Sequence, residues 1–210
     1  VTFTPHVHAY ELMKLRILNG GHAIIAYPGG LLDIEFAHQA MAHPLIAAFL
    51  DQVEREEIIP NVPPVQGTDL HTYFATVKER FANPEVADTE RRLCFDGSNR
   101  QPKFIVPALR DGLAAGTPVA GLALVSALWC RYCAGVTEAG TEVPANDPDW
   151  GRLQPLALAA RHDPALWLGQ RQIYGDLAGN AAFRSAFAAA VTSLWDHGVE
   201  ATLRAYLGRS

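Results

Sequence analysis

Thr117-Pro118-Val119-Ala120-Gly121-Leu122-Ala123-Leu124-Val125-Ser126-Ala127-Leu128-Trp129-Cys130-Arg131-Tyr132-Cys133-Ala134 is apolar nearly all round. Threonine followed by proline is a strong helix start: the hydroxyl can take an orphan N–H, and proline is pre-set for the first helical position. A helix without a polar face has to be covered on every side, so this one belongs at the centre of a bundle. Gly135 ends it.

Outward from that centre the chain reads as further helices. Residues 10–27 form the first, stopped by the breaker triplet Pro28-Gly29-Gly30. Asp33 caps a second running to Ala42, and His43-Pro44 opens a third. In that third helix Leu45, Ile46, Phe49, Leu50 and Val53 face inward, with Asp51, Glu54, Arg55, Glu56 and Glu57 as a solvated face. Residues 59–67, with three prolines, read as an extended linker. Thr68 or Asp69 then begins a helix striped by Leu70, Tyr73, Phe74, Val77 and Phe81 and ended by Asn83-Pro84. Residues 88–95 form a short helix and Asp96-Gly97-Ser98-Asn99 a turn; Pro107 starts another helix, closed by Gly116. Residues 136–151 read as loop, followed by helices over about 164–177, 180–197 and 199–207. No alternating run supports a sheet. The expected fold is all-α, one multi-helix unit over residues 1–210.

At 210 residues, 49% of them hydrophobic and 19% charged, the chain can bury a sizeable core. A formal net charge of −5 argues against nucleic acid as a partner, because displacing counterions takes a basic face. No run approaches the ~18–20 apolar residues that cross a bilayer, and the first residues lack the pattern of a secretion signal. Cys94, Cys130 and Cys133 cannot build a disulfide framework, which suits a reducing cytoplasm. The lone Cys130-Arg131-Tyr132-Cys133 lacks the second pair a structural zinc site needs, so core cysteines are expected. His6 and His8 have no evident third ligand and read as exposed. Trp129, Trp150, Trp167 and Trp195 read mostly as packing.

Near the N-terminus, Lys14-Leu15-Arg16-Ile17-Leu18-Asn19-Gly20-Gly21-His22 sets an amine, a carboxamide and an imidazole at offsets of zero, five and eight in an apolar segment. At about 100° per residue of α-helix, the later two fall roughly 140° and 80° round from the lysine. Such a polar arc is poor helix-surface design and suits groups converging on one small polar molecule. The bland alternative is a helix with Lys14 and Arg16 in solvent and His22 on a carbonyl. The sequence begins with Val1 and this motif lies close behind it, so a longer polypeptide is expected. No glycine-rich turn follows a β-run, so a dinucleotide fingerprint is missing.

The stretch from Tyr10 to His22 resembles the signature of the polyol-specific long-chain dehydrogenases, the mannitol dehydrogenase family: lysine, four residues, asparagine, two residues, histidine. The resemblance continues through Arg80-Phe81-Ala82-Asn83-Pro84, Asp88, Arg91 to Arg100, Ala127 to Tyr132 and Asn146-Asp147-Pro148. It implies the helical C-terminal domain of a two-domain enzyme, whose N-terminal Rossmann domain would hold NAD, or NADP. The implied reaction is metal-free oxidation of a secondary alcohol, mannitol to fructose, with sorbitol or arabinitol as further substrates.

Under that resemblance Lys14 is the general base, which works only if its pKa falls towards neutrality through burial against Leu and Ile, a nearby arginine and the cationic nicotinamide. Asn19 donates to the developing alkoxide and His22 fixes the hydroxyl's register. Arg92 and Arg100 bind substrate hydroxyls. The family more often has lysine at the second of these, and Arg100 offers a planar fork instead. Glu11, three residues before Lys14, either relays the proton to water or forms an i,i+3 ion pair. Two alternatives stay open. One is a hexuronate reductase acting on fructuronate or tagaturonate, with Arg92 and Arg100 clamping the carboxylate. The other is a non-catalytic helical interaction domain on the same scaffold.

Overall fold

Helix α9 (Ala120–Tyr132) lies where its composition puts it, with every residue from Gly121 onward buried. The computed structural model describes residues 7–209. Among these every regular element is a helix, with isolated bridges such as Phe36 with Thr89 but no sheet. The all-α expectation holds. Helix α1 (Val7–Met13) passes through a π-helical turn (Lys14–Asn19) into α2 (Gly20–Leu31), followed by α3 (Ala37–Ala42) and α4 (Pro44–Val53). A second π-helical turn (Glu54–Ile58) leads to α5 (Leu70–Phe81), α6 (Glu90–Cys94), α7 (Gly97–Phe104) and α8 (Val106–Ala115). After α9 come α10 (Trp150–Ala160), α11 (Pro164–Leu168), α12 (Arg171–Tyr174), α13 (Ala181–Asp196) and α14 (Gly198–Tyr206). Helix α13 lies along α9 through Phe183, Phe187, Val191 and Leu194, while α2 packs against α4, α6 and α9.

Local signals misplace several ends, each for a packing reason. Helix α2 runs straight through Pro28-Gly29-Gly30. A Cβ on Gly29 would stand 3.0 Å from the Glu90 side chain, and one on Gly30 would stand 3.0 Å from the Tyr132 ring. The glycines are there for close approach, and burial on nearly every side outweighs the ~3 kcal/mol an interior proline costs. Asp33, at φ 56°, caps no helix; it accepts from the Thr137 hydroxyl at 2.8 Å, and α3 starts only at Ala37. Asp96 to Asn99 is the opening of α7 rather than a free turn, and α10 fills a stretch with no strong sequence signal. The cysteines are buried and unpaired, and Trp129 and Trp167 are core. His8 is exposed on α1, whereas His6 lies outside the described residues.

The acidic face of the third helix is the largest correction. Glu54 and Glu57 are buried, because the π-helical turn swings residues inward that an α-helix would leave in water. Glu57 takes the role expected of Thr117: its two oxygens accept the Gly121 and Leu122 N–H groups at 2.7 and 2.8 Å, and the Tyr206 hydroxyl donates to it at 3.0 Å. A carboxylate there satisfies orphan donors and complements the positive end of the helix dipole. Thr117 turns back to α8, donating to Gly112 O and accepting from Asn61 Nδ2. Glu54 has neither carboxyl oxygen hydrogen-bonded among the described residues.

Two measurements test these roles. A Cβ on Gly121 would stand 2.5 Å from Val53 Cγ2 and 2.8 Å from Glu57 Oε1. Gly121→Ala should therefore destabilise by about 1–3 kcal/mol in urea unfolding, although alanine is ordinarily ~1 kcal/mol better than glycine in a helix. Burial holds the Glu54 carboxyl well above its ordinary 4.5. Above that pH the unfolded chain releases a proton the folded one keeps, so stability is lost as pH rises from 4.5 through the folded value. Glu54→Gln escapes that loss, and its Tm advantage over the parent should grow by a few °C towards neutral pH. A pH-independent difference would contradict the assignment.

Candidate active site

Asn19, His22, Arg92 and Arg100 line one open cleft of about 200 Å³, with Leu93 and Phe104 as its apolar walls. Four elements meet there. The first π-helical turn and α2 bring the amide and the imidazole, α6 brings Arg92, and α7 brings Arg100.

The π-helical winding changes the expected geometry. Gly20 N–H reaches back to Ile17 O and to Leu15 O, the latter five residues earlier, so the turn is wider than an α-helical one. Lys14 and Asn19 therefore sit one widened turn apart instead of the 140° separation of an α-helix. His22 follows three residues later on regular α-helix.

His22 stacks on Phe81, with ring centroids 4.3 Å apart. Burial pushes its pKa from 6.5 down to about 4; Asp88 opposes that shift, while Arg92, Arg80 and Arg100 add to it. The imidazole is thus neutral at neutral pH and offers one donor and one acceptor. Beside it a narrow slot runs between Ala37, His38, Arg80, Asn83 and Asp88, joined to the cleft at His22.

The arginines are held from below by motif residues that touch no cleft. Asp147 accepts the Ser98 N–H and hydroxyl, each at 2.7 Å, and so pins the first turn of α7. Asn146 Nδ2 donates to Arg91 O at 2.9 Å and to the Tyr132 hydroxyl at 3.1 Å, tying α6 to α9. Arg100 Nη1 donates to Leu93 O at 2.9 Å. Arg92 presents Nε and Nη2 to the two oxygens of Asp88. The two-arginine carboxylate clamp is therefore not free, since Arg92 already holds a carboxylate. Asp88 was legible only as an acid four residues ahead of an arginine, and nothing in the sequence marked Phe81 as the shelf for His22.

Lys14 and Glu11 stand apart from this cleft. Lys14 is exposed, and the expected shield of Leu, Ile and a nearby arginine does not surround it. Ile17 is turned into the core, and Arg16 is buried facing away, paired with Asp111 at 2.5 Å and donating to Asn61 O at 3.0 Å. Glu11 is exposed and its nearest opposite charge is His8 at 4.0 Å, so the Glu11–Lys14 ion pair does not form. Among the described residues no strand–turn–helix offers a glycine-rich cradle for a dinucleotide.

The chain belongs to the mannitol dehydrogenase C-terminal domain family, whose model matches residues 6–195. It is 62% identical over 207 residues to a mannitol 2-dehydrogenase of Cereibacter sphaeroides, covering 99% of this chain and 43% of that protein. An Aspergillus terreus mannitol 2-dehydrogenase is 33% identical across 96% of the chain and 40% of its own length. The ternary complex of Pseudomonas fluorescens mannitol 2-dehydrogenase with NAD and D-mannitol superposes with a TM-score of 0.95 at 35% identity, over 100% of this chain and 43% of that one. A D-sorbitol dehydrogenase shares the fold at a TM-score of 0.83 and 22% identity, covering 95% of this chain and 41% of that one. The chain thus spans under half the length of the relatives it matches.

The His22 environment yields a measurable pH response. By NMR its ring protons should titrate near pH 4, not 6.5. Because the folded pKa lies below the unfolded one, the stability His22 contributes is complete above 6.5 and lost as pH falls through 4. A midpoint at 6.5 would show the ring to be solvated.

Proposed function

We propose that this chain is the substrate-binding and catalytic half of an NAD-dependent polyol dehydrogenase that interconverts mannitol and fructose, with the nucleotide held by another part of the same polypeptide. The observation that carries the reading is the convergence of Asn19, His22, Arg92 and Arg100 on one cleft, one widened turn from Lys14. The C. sphaeroides relative and the NAD–mannitol complex of the P. fluorescens enzyme support it.

Removing hydride from a carbinol carbon requires the hydroxyl proton to leave at about the same time. When bound, NAD supplies the hydride acceptor. Lys14 Nζ takes the proton, and Asn19 Nδ2 donates to the oxygen as it becomes alkoxide. Neutral His22 hydrogen-bonds the same hydroxyl or its neighbour and fixes which carbon reacts. Arg92 and Arg100 present N–H donors to hydroxyls further along the chain of the polyol. Glu11, exposed one helical turn before Lys14, passes the proton to water. Seating the nucleotide-binding half over the first π-helical turn takes Lys14 out of water, which is the desolvation a lysine base needs.

The full-length polypeptide should oxidise mannitol with NAD in a screen that also holds sorbitol, arabinitol, fructuronate and NADP. Lys14→Ala should lower kcat by about 10²–10⁴-fold, the usual worth of a positioned base, and leave NAD affinity unchanged. A variant with parental turnover would remove Lys14 from the chemistry.

A further inference from the structure

We propose that Asp88 decides the charge of the substrate: by neutralising Arg92 it makes the cleft accept uncharged polyols and ketoses and refuse hexuronates. This inference rests on the polyol dehydrogenase reading above and names the residue that sets its substrate class.

The geometry places Asp88 behind Arg92, not in front of it. The Asp88 side chain is 11% exposed and Arg92 64%, so the acid is buried while the guanidinium reaches outward. Both carboxylate oxygens are engaged by Nε and Nη2 of the same guanidinium, a bidentate fork that fixes its plane. A guanidinium has five N–H donors. With Nε and one Nη2 hydrogen committed to Asp88, the remaining donors are left for ligand. They are directional hydrogen-bond donors with their charge already balanced, the combination that suits hydroxyl groups.

A carboxylate in the same place would meet a different energy. It would share one guanidinium with a second carboxylate held within hydrogen-bonding distance of that group, and like charges at such range oppose each other. Arg100 alone cannot replace the clamp, because its Nη1 is committed to Leu93 O and, among the described residues, the only other guanidinium lining the cleft is Arg92. Asp88 also lines the slot beside His22, so its charge is felt where substrate would bind and not only at the rim. Discrimination of this kind works by raising the cost of the wrong ligand rather than by adding contacts to the right one.

The test uses the full-length polypeptide and NADH, with fructose and fructuronate as paired substrates. Asp88→Asn keeps the shape and one acceptor but removes the charge. The ratio of kcat/KM for fructuronate over fructose should rise about tenfold, a modest share of a unit charge at short range. Asp88→Glu, which keeps the charge, should hold the parental ratio. A ratio unchanged in Asp88→Asn with parental Tm overturns the inference. In the unmodified protein, gluconate should inhibit mannitol oxidation at least ~10-fold more weakly than its neutral counterpart sorbitol. Equal inhibition overturns the inference even if the variants do not fold. Absence of any polyol turnover in the unmodified protein would instead sink the underlying reading, so the two failures are distinguishable.

Discussion

One demand organises this bundle: a helix covered on every side must find partners for its end groups inside the protein. Water cannot reach the first N–H groups of α9, so a carboxylate is buried to meet them, and Glu57 is that carboxylate. Burial raises the Glu57 pKa even as its three hydrogen bonds pull the other way, so the arrangement trades solvation for a fixed helix start. The small Gly121 beneath it admits Val53, Tyr206 and Glu57 together.

The same buried helix reaches the candidate site from its other end. The Trp129 indole packs against Gly97 at the start of α7, and the Tyr132 hydroxyl is tied through Asn146 to the backbone of Arg91. Asp147, next in the chain, holds the first turn of α7 by Ser98. Arg92 and Arg100 are thereby mounted on short helices whose positions the core dictates. Short helices of five and eight residues have little stability alone, so this anchoring is what makes them rigid enough to present a guanidinium.

Opposite them the first π-helical turn spends backbone regularity on alignment. It carries Asn19 to the cleft, and the α-helix that follows leaves His22 stacked on Phe81 in neutral form. The cleft gathers an amide, a neutral imidazole and two guanidiniums, and Lys14 lies exposed outside it.

Much of the fold was legible in the sequence. The all-round apolarity of residues 119–134 forced a central helix and hence a bundle, and Asp69, Asn83, Gly116 and Asn180 mark ends through local chemistry that burial does not override. The spacing of Asn19 and His22 likewise leaves both on one cleft, whereas Lys14 stands exposed outside it. Tertiary structure decided the rest. Whether Pro28-Gly29-Gly30 breaks a helix, whether Glu54 and Glu57 meet water, and whether Arg92 is free or paired all depend on what packs against them from distant segments. The energy of burying a group is set by its three-dimensional neighbours, and no local pattern carries that information.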